Sequence, residues 1–237
     1  MRPVNNVPTG VKLSTHGAAK PTLIMAMGEY CVYCERRIAA MELDVEHIEP
    51  QKTHPLLVLA WGNFLLACAT CNTYKRHYQE KHTPIGILAN QAWPHLDNTF
   101  SAYLYDQHGR VKVVPTLSSI NHTEMAQRTL EMAGLDKTPA VAAKYQKLGR
   151  IYDTTSRRER AWHEAQAVLE TYIENPTAKQ QASILNYAGA VGFFSIWMAV
   201  FSAYPEIKRG LIQRFQAAPE CFDAQGEPIN PRQPGRI

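Results

Sequence analysis

The sequence is short of several things, and each absence narrows what the chain can be. It contains no glycine-rich phosphate loop of the pattern G-x-x-x-x-G-K-[ST], so any nucleotide hydrolysis tied to it belongs to a partner. It shows no internal repeat, which sets aside solenoids and propellers. It opens without an apolar secretory core: residues 1 to 22 are rich in Pro, Gly, Asn and small side chains and are expected to form an extended arm rather than a signal peptide. A reducing, cytoplasmic setting is therefore expected, and there cysteines serve as thiols or metal ligands rather than disulfides. Charge is modest, with 19% charged residues, a net charge of +4 and a pI near 8.8. That balance tolerates a nucleic-acid partner without arguing for one. One stretch has no charge at all, from beyond Gln181 to just before Glu206. Its length raises a membrane span. Interruptions at Asn186, Gly189, Gly192 and Ser195, and the lack of a dense basic flank, favour a buried or partner-docking helix instead.

What is present is an ordinary globular composition of 237 residues, 45% of them hydrophobic, enough for one large or two modest domains. Four of the five cysteines form two C-x-x-C pairs, Cys31/Cys34 and Cys68/Cys71, and Cys221 is left over. A C-x-x-C turn sets two thiolates on one side of a tetrahedron, so two turns make a closed structural Zn²⁺ site. The gap between the pairs exceeds that of a simple finger, so a substantial insert must be held at both ends. The alternatives are disulfides or unrelated buried thiols.

Inside the insert, D-V-E-H-I-E-P-Q alternates and then meets Pro50, which predicts a short strand ending in a turn. Phe64, Leu65, Leu66 and Ala67 lead to Cys68. From there A-T-C-N-T-Y-K-R-H-Y-Q-E-K predicts a helix carrying Cys71 and Asn72 in its first turn and Lys75 and Arg76 in the next. Two strands and a helix around a metal is the implied arrangement. Glu46 and His47 should point to opposite faces, yet a strand end can bring both to one phosphate.

These residues resemble the HNH, or ββα-metal, endonucleases. Position by position, His47 matches the first letter, Asn63 the second and Asn72 the third, with Glu46 where the family more often has Asp. The stretches E-Y-C-V-Y-C-E-R-R-I, L-D-V-E-H-I-E-P-Q, W-G-N-F-L-L-A-C-A-T-C-N and H-L-D-N-T-F narrow the resemblance to the HNH nucleases of anti-phage defence, the Septu PtuB-like and retron-associated group, over roughly residues 28 to 115. The resemblance implies that His47 is the base, that Asn63 supports it, and that Glu46 and Asn72 hold one divalent metal, Mg²⁺ or Mn²⁺. It also implies an ATPase partner docking on the helical region. Glu for Asp lengthens one ligand by a methylene, and Asn for His favours a hard cation. Lys75 and Arg76 are expected to hold flanking phosphates. Plainer readings stand beside these: Asn63 as a turn residue, Asn72 as a helix cap, and Lys75, Arg76 and Lys81 as a solvated face.

Beyond the core, Pro84, Pro94 and Asp97-Asn98 break regular structure, with His95 and Asn98 as candidates for touching substrate. Tyr103/Tyr105 and Val111/Val113 alternate around His108-Gly109 and predict a hairpin. A helix is expected from about Ile120, capped by Asn121 or Thr123 and stopped at Gly134. Another starts at Pro139, with Val141, Tyr145, Leu148 and Tyr152 on its apolar face, and the pattern runs to Glu174. Arg157, Arg158 and Arg160 are expected to pair with Glu159 and Glu164, the other reading being a cluster that binds nucleic acid. The fold class is thus α+β, a zinc-stapled ββα-metal core followed by a mainly α-helical C-terminal domain. The divisions are an arm over 1–22, a nuclease domain over 23–118, a helical domain over 119–217 and an irregular, mobile tail over 218–237. The function expected is metal-dependent cleavage of nucleic acid, DNA favoured, without a membrane. The rival readings are RNA (tRNA) cleavage by the same site and a non-catalytic zinc-stapled binding module.

Overall fold

The structure, a computed structural model, describes residues 1–6, 12–82, 88–115, 117–137, 154–233 and 235–237. The predicted strands form an antiparallel pair, β1 (Leu43–His47) and β2 (Phe64–Cys68), in which Leu43 lies opposite Cys68 and His47 opposite Phe64. β2 is buried at every position, which is why its sequence is a continuous apolar run rather than an alternating one. The connection over residues 48–63 carries only short 3₁₀ turns, Pro55–Leu57 and Trp61–Asn63.

Two helices flank this pair. α1 (Lys20–Met27) starts with proline in its first turn and packs Leu23 and Met27 inward. α2 (Ala69–His82) follows β2 without a loop and folds back over both strands. The turn bearing Cys31 and Cys34 is tied to β2 by Val32 N–H donating to the Leu66 carbonyl at 2.9 Å. A second hairpin, β3 (Tyr103–Tyr105) and β4 (Val111–Val113), forms as its alternation predicts. α3 (Ile120–Met132) is capped by Ser119, whose hydroxyl accepts from His122 N–H, rather than by Asn121 or Thr123. Its Ala126, Leu130 and Met132 belong to the same core as the β1–β2 pair, with Trp93 and Tyr103.

A second core is built by α4 (Thr154–Glu174), α5 (Ala178–Val191), α6 (Phe194–Val200) and α7 (Pro205–Arg214) around Phe194, Trp197, Phe201 and Phe215. The uncharged stretch is thus two helices, broken where Gly192 (φ 88°) and Phe193 (φ 64°) both adopt left-handed backbone. A β-carbon on Gly192 would lie 2.6 Å from the Arg37 nitrogen, so only glycine fits at this crossing. No helix among the described residues is long and apolar enough to cross a membrane. The cysteine turn meets this second core directly. Glu35 accepts from Ser195 N–H at 2.9 Å and from Ser195 Oγ at 2.7 Å, capping α6 from outside.

Several expectations change. The N-terminal arm is packed where it is described: Met1–Val4 are buried, His16–Ala19 form a 3₁₀ turn and α1 begins at Lys20. The tail over 218–237 is irregular but packed, because Arg232 donates to the Val4 and Pro94 carbonyls at 3.0 and 3.1 Å and Ile237 is buried. Asn98 does not face a substrate; it is buried and donates to the carbonyls of Cys221 and Ile229, stitching that tail down. Arg158 pairs with backbone rather than with Glu159 or Glu164, donating to the Gly109 carbonyl at 2.7 Å and to that of Leu135 at 3.0 Å. The expected helix start at Pro139, with Val141, Tyr145, Leu148 and Tyr152, lies outside the described residues, as does Pro84.

Candidate active site and metal centre

The four thiols converge. Sγ atoms of Cys31, Cys34, Cys68 and Cys71 all lie within 4.8 Å of one another, and all four residues are buried. Cys34 and Cys68 are 3.9 Å apart, close to the edge of about 3.8 Å that a tetrahedron with bonds of about 2.3 Å to its centre requires. The donor set therefore fits a tetrahedral metal ion. Mutual hydrogen bonding holds the Cys68 thiol well below the usual thiol range and pushes Cys34 and Cys71 above it. Cys68 ends β2 and Cys71 sits in the first turn of α2, so the same site that gathers sulfur fixes the strand–helix junction.

That junction sets the rest of the site. Leaving β2 through the sulfur cluster, α2 carries Asn72, Lys75, Arg76 and Gln79 along one wall of a cavity of about 590 Å³. β1 lines the same cavity with Asp44, Glu46 and His47, and the N-terminal segment adds His16 and Lys20. His47 and Asn72, expected to share a cleft, do share one.

His47 is held by its Nε2–H, which donates to the Val58 carbonyl at 3.0 Å. The tautomer so fixed leaves Nδ1 as the basic nitrogen, and the exposed Gln51 side chain donates to it at 3.0 Å. Burial lowers the pKa of His47 against the opposing pull of the Val58 carbonyl, and His16 lowers it further, so the ring is neutral at pH 7. Asn63 is buried and lies outside the cavity. Its Oδ1 accepts from Glu49 N–H at 2.7 Å, and its Nδ2 donates to the carbonyls of Glu49 and Leu57, both at 3.1 Å. It thereby pins the loop whose next carbonyl, that of Val58, orients His47.

The oxygen donors line the same cavity. Asn72 Nδ2 donates to Asp44 Oδ2 at 3.2 Å, which leaves Asn72 Oδ1 as its remaining acceptor. Glu46 is 2% exposed; it accepts from the Tyr33 hydroxyl at 3.1 Å and forms an ion pair with Lys75. The expectation that Lys75 holds phosphate gives way here. Its ammonium is 3% exposed and committed to the Glu46 carboxylate and the His47 carbonyl, because a carboxylate buried this deeply needs a counter-charge. Arg76 is exposed on the cavity wall and remains available. Two carboxylates and an amide oxygen suit a hard cation that takes its other ligands from water or substrate phosphate. Of the two carboxylates, Asp44 has no ion-pair partner among the described residues.

Sequence reasoning missed Asp44 and His16. Asp44 sits two residues before Glu46 and shares its strand face, a period-two signal that was present. Nothing local marks His16, whose position depends on how the N-terminal segment packs. His54, by contrast, sits 3.7 Å from Glu49, away from the cavity lining.

Residues 31–77 match the family described as HNH endonuclease. The chain is similar to Septu protein PtuB of Bacillus thuringiensis, 39% identical over 72 residues that make up 28% of this chain and 28% of that protein. It is also similar to "Retron Vc95 putative HNH endonuclease" of Vibrio cholerae, 26% identical over 113 residues, 46% of this chain and 53% of the relative. The chain therefore matches about a quarter of one relative's length and about half of the other's.

Proposed function

We propose that this chain, which carries an HNH endonuclease core over residues 31–77, is a metal-dependent endonuclease that hydrolyses phosphodiester bonds in nucleic acid, DNA first, as the effector of an anti-phage complex. The observation that carries this reading is one cavity shared by an oriented neutral imidazole, His47, and the oxygens of Asp44, Glu46 and Asn72.

In the reaction, Nδ1 of His47 takes a proton from a water as Gln51 yields that nitrogen. The water oxygen attacks phosphorus in line with the bond to the 3′-oxygen; that bond breaks to leave a 5′-phosphate, and the departing 3′-oxygen takes a proton from solvent, to which His47 later returns its own, to become the 3′-hydroxyl. Asn63 acts through the loop, keeping the Val58 carbonyl on Nε2 so that the basic nitrogen faces the cavity. A divalent cation, Mg²⁺ or Mn²⁺, held by Asn72 with Glu46 and Asp44, would supply Lewis-acid stabilisation of the charge developing on phosphate and leaving oxygen. Lys75 fixes Glu46 and the end of β1, and Arg76 holds a flanking phosphate. Zn²⁺ on the four cysteines is structural, since a closed four-sulfur site has no open position for substrate.

An ATPase subunit is proposed as the partner, docked on the helical region. What supports this is an apolar groove of about 410 Å³ between α4 and α5, lined by Val168, Tyr172, Ile184 and Tyr187. The partner would also restrain a nuclease otherwise harmful to its host.

The experiment is a cleavage assay on plasmid, single-stranded DNA and tRNA, each with Mg²⁺, Mn²⁺ or EDTA, for the chain alone and with its partner. Metal-dependent nicking of DNA is expected. Cleavage confined to tRNA would reassign the substrate, and the absence of cleavage under every condition would leave only a zinc-stapled binding module.

A further inference from the structure

Outside residues 31–77, a described segment that reaches the base is the N-terminal 3₁₀ turn His16–Ala19. The His16 ring stands 5.1 Å from the His47 ring, edge to face at 64°. His16 and Lys20 line the cavity together with Asn72 and Arg76 of α2. The turn is not free to wander. Ala19 at its end and Leu23 just beyond it are buried in the first core, and Lys20 Nζ donates to the Ala40 carbonyl at 3.3 Å, anchoring the segment beside the start of β1.

The two imidazoles differ in one respect that decides what each can do. His47 has both nitrogens engaged, one with the Val58 carbonyl and one with Gln51. His16 is exposed and makes no hydrogen bond among the described residues, so both its nitrogens are open to whatever enters the cavity. It is not placed as a metal ligand: among the described residues, the four cysteines are the only cluster of three or more His, Cys, Asp or Glu side chains close enough to hold an ion. A ring N–H facing a cavity walled by Lys20 and Arg76 is suited to an anionic oxygen.

We propose that His16 is a substrate-contacting residue of this cleft, its ring N–H donating to a non-bridging oxygen of the phosphodiester bound beside His47. The N-terminal segment thereby completes a site that residues 31–77 leave open on one side. This rests on the endonuclease reading above, and it adds a residue from outside the matched core. With His16, Lys20 and Arg76 all lining the cleft, the backbone of the bound strand runs along them, with the scissile phosphate at His47.

The test compares the full-length wild type with His16→Leu, which keeps bulk and loses every polar atom, and with His16→Ala. Zinc content, thermal midpoint and steady-state cleavage of a labelled DNA are measured in each. Both variants are expected to keep zinc and the wild-type midpoint while kcat/KM falls by roughly 10- to 100-fold, as for loss of one hydrogen bond to a charged group. Added imidazole should recover part of the activity of His16→Ala and none of that of His16→Leu, whose side chain fills the space. A His16→Leu protein that cuts with wild-type kcat/KM overturns this inference alone. So does a loss of activity that merely tracks lost zinc or a lower midpoint in both variants. A wild type that cuts no nucleic acid overturns the endonuclease reading and this inference with it.

Discussion

One backbone carbonyl, that of Val58, decides which nitrogen of His47 is basic, and Asn63 holds the loop that carries it. The motif letters were legible in the sequence because their spacing is fixed by the strand–turn–helix path. The division of labour was not. Asn63 reads as a possible turn residue until its three hydrogen bonds are seen, and Lys75 reads as a phosphate binder until its pairing with buried Glu46 is seen. Asn63→Ala should destabilise the protein by about 1–3 kcal/mol, the cost of leaving buried partners unsatisfied. It should also lower kcat with zinc retained; an unchanged kcat would separate Asn63 from His47. A second residue-scale prediction concerns His95, whose pKa burial pushes down to about 4 despite the nearby Asp97 carboxylate. The unfolded chain therefore takes up this proton near pH 6.5, before the folded protein does. Stability from His95 is present above that pH and is lost as pH falls toward 4. In thermal unfolding between pH 7 and pH 4, His95→Leu should show a shallower decline than wild type, and parallel curves would contradict the assignment.

At the scale of elements, the sulfur cluster joins three pieces: the turn at Cys31–Cys34, the end of β2 and the start of α2. The doubled C-x-x-C spacing made this legible. What no local pattern announces is that the same turn reaches the helical region through Glu35, which caps α6 at Ser195. Two changes separate these roles. Cys31→Ser should lose bound zinc by elemental analysis and most soluble protein, because the metal supplies folding free energy to such a site. Glu35→Ala should keep zinc yet lower the thermal midpoint, at about 1–3 kcal/mol for the lost buried acceptor; zinc loss in this variant would mean that the two functions are not separable. The uncharged stretch from 182 to 205 was legible as buried, whereas its break at Gly192–Phe193 follows from close contact with the cysteine turn and is a tertiary effect.

Across the whole molecule, the chain is drawn together by its ends. Met1–Val4 and Ile237 are buried, and Arg232 ties the two through the carbonyls of Val4 and Pro94. Proline-rich, irregular segments look mobile in a sequence because nothing in their pattern reveals the partners waiting elsewhere; here Asn98 supplies an amide that donates to the Cys221 and Ile229 carbonyls, and Asp97 a carboxylate that accepts from Arg236. The result is a frame in which β1, α2 and the N-terminal turn wall a single cleft. That cleft, with His47 as its base, is the claim on which the functional account stands. It is tested most directly by DNA cleavage with wild type and His47→Ala at matched zinc content and thermal midpoint. Metal-dependent cutting by the wild type and a loss of about 10²–10⁴-fold in the variant are expected, whereas a His47→Ala protein that cuts at the wild-type rate would contradict the account.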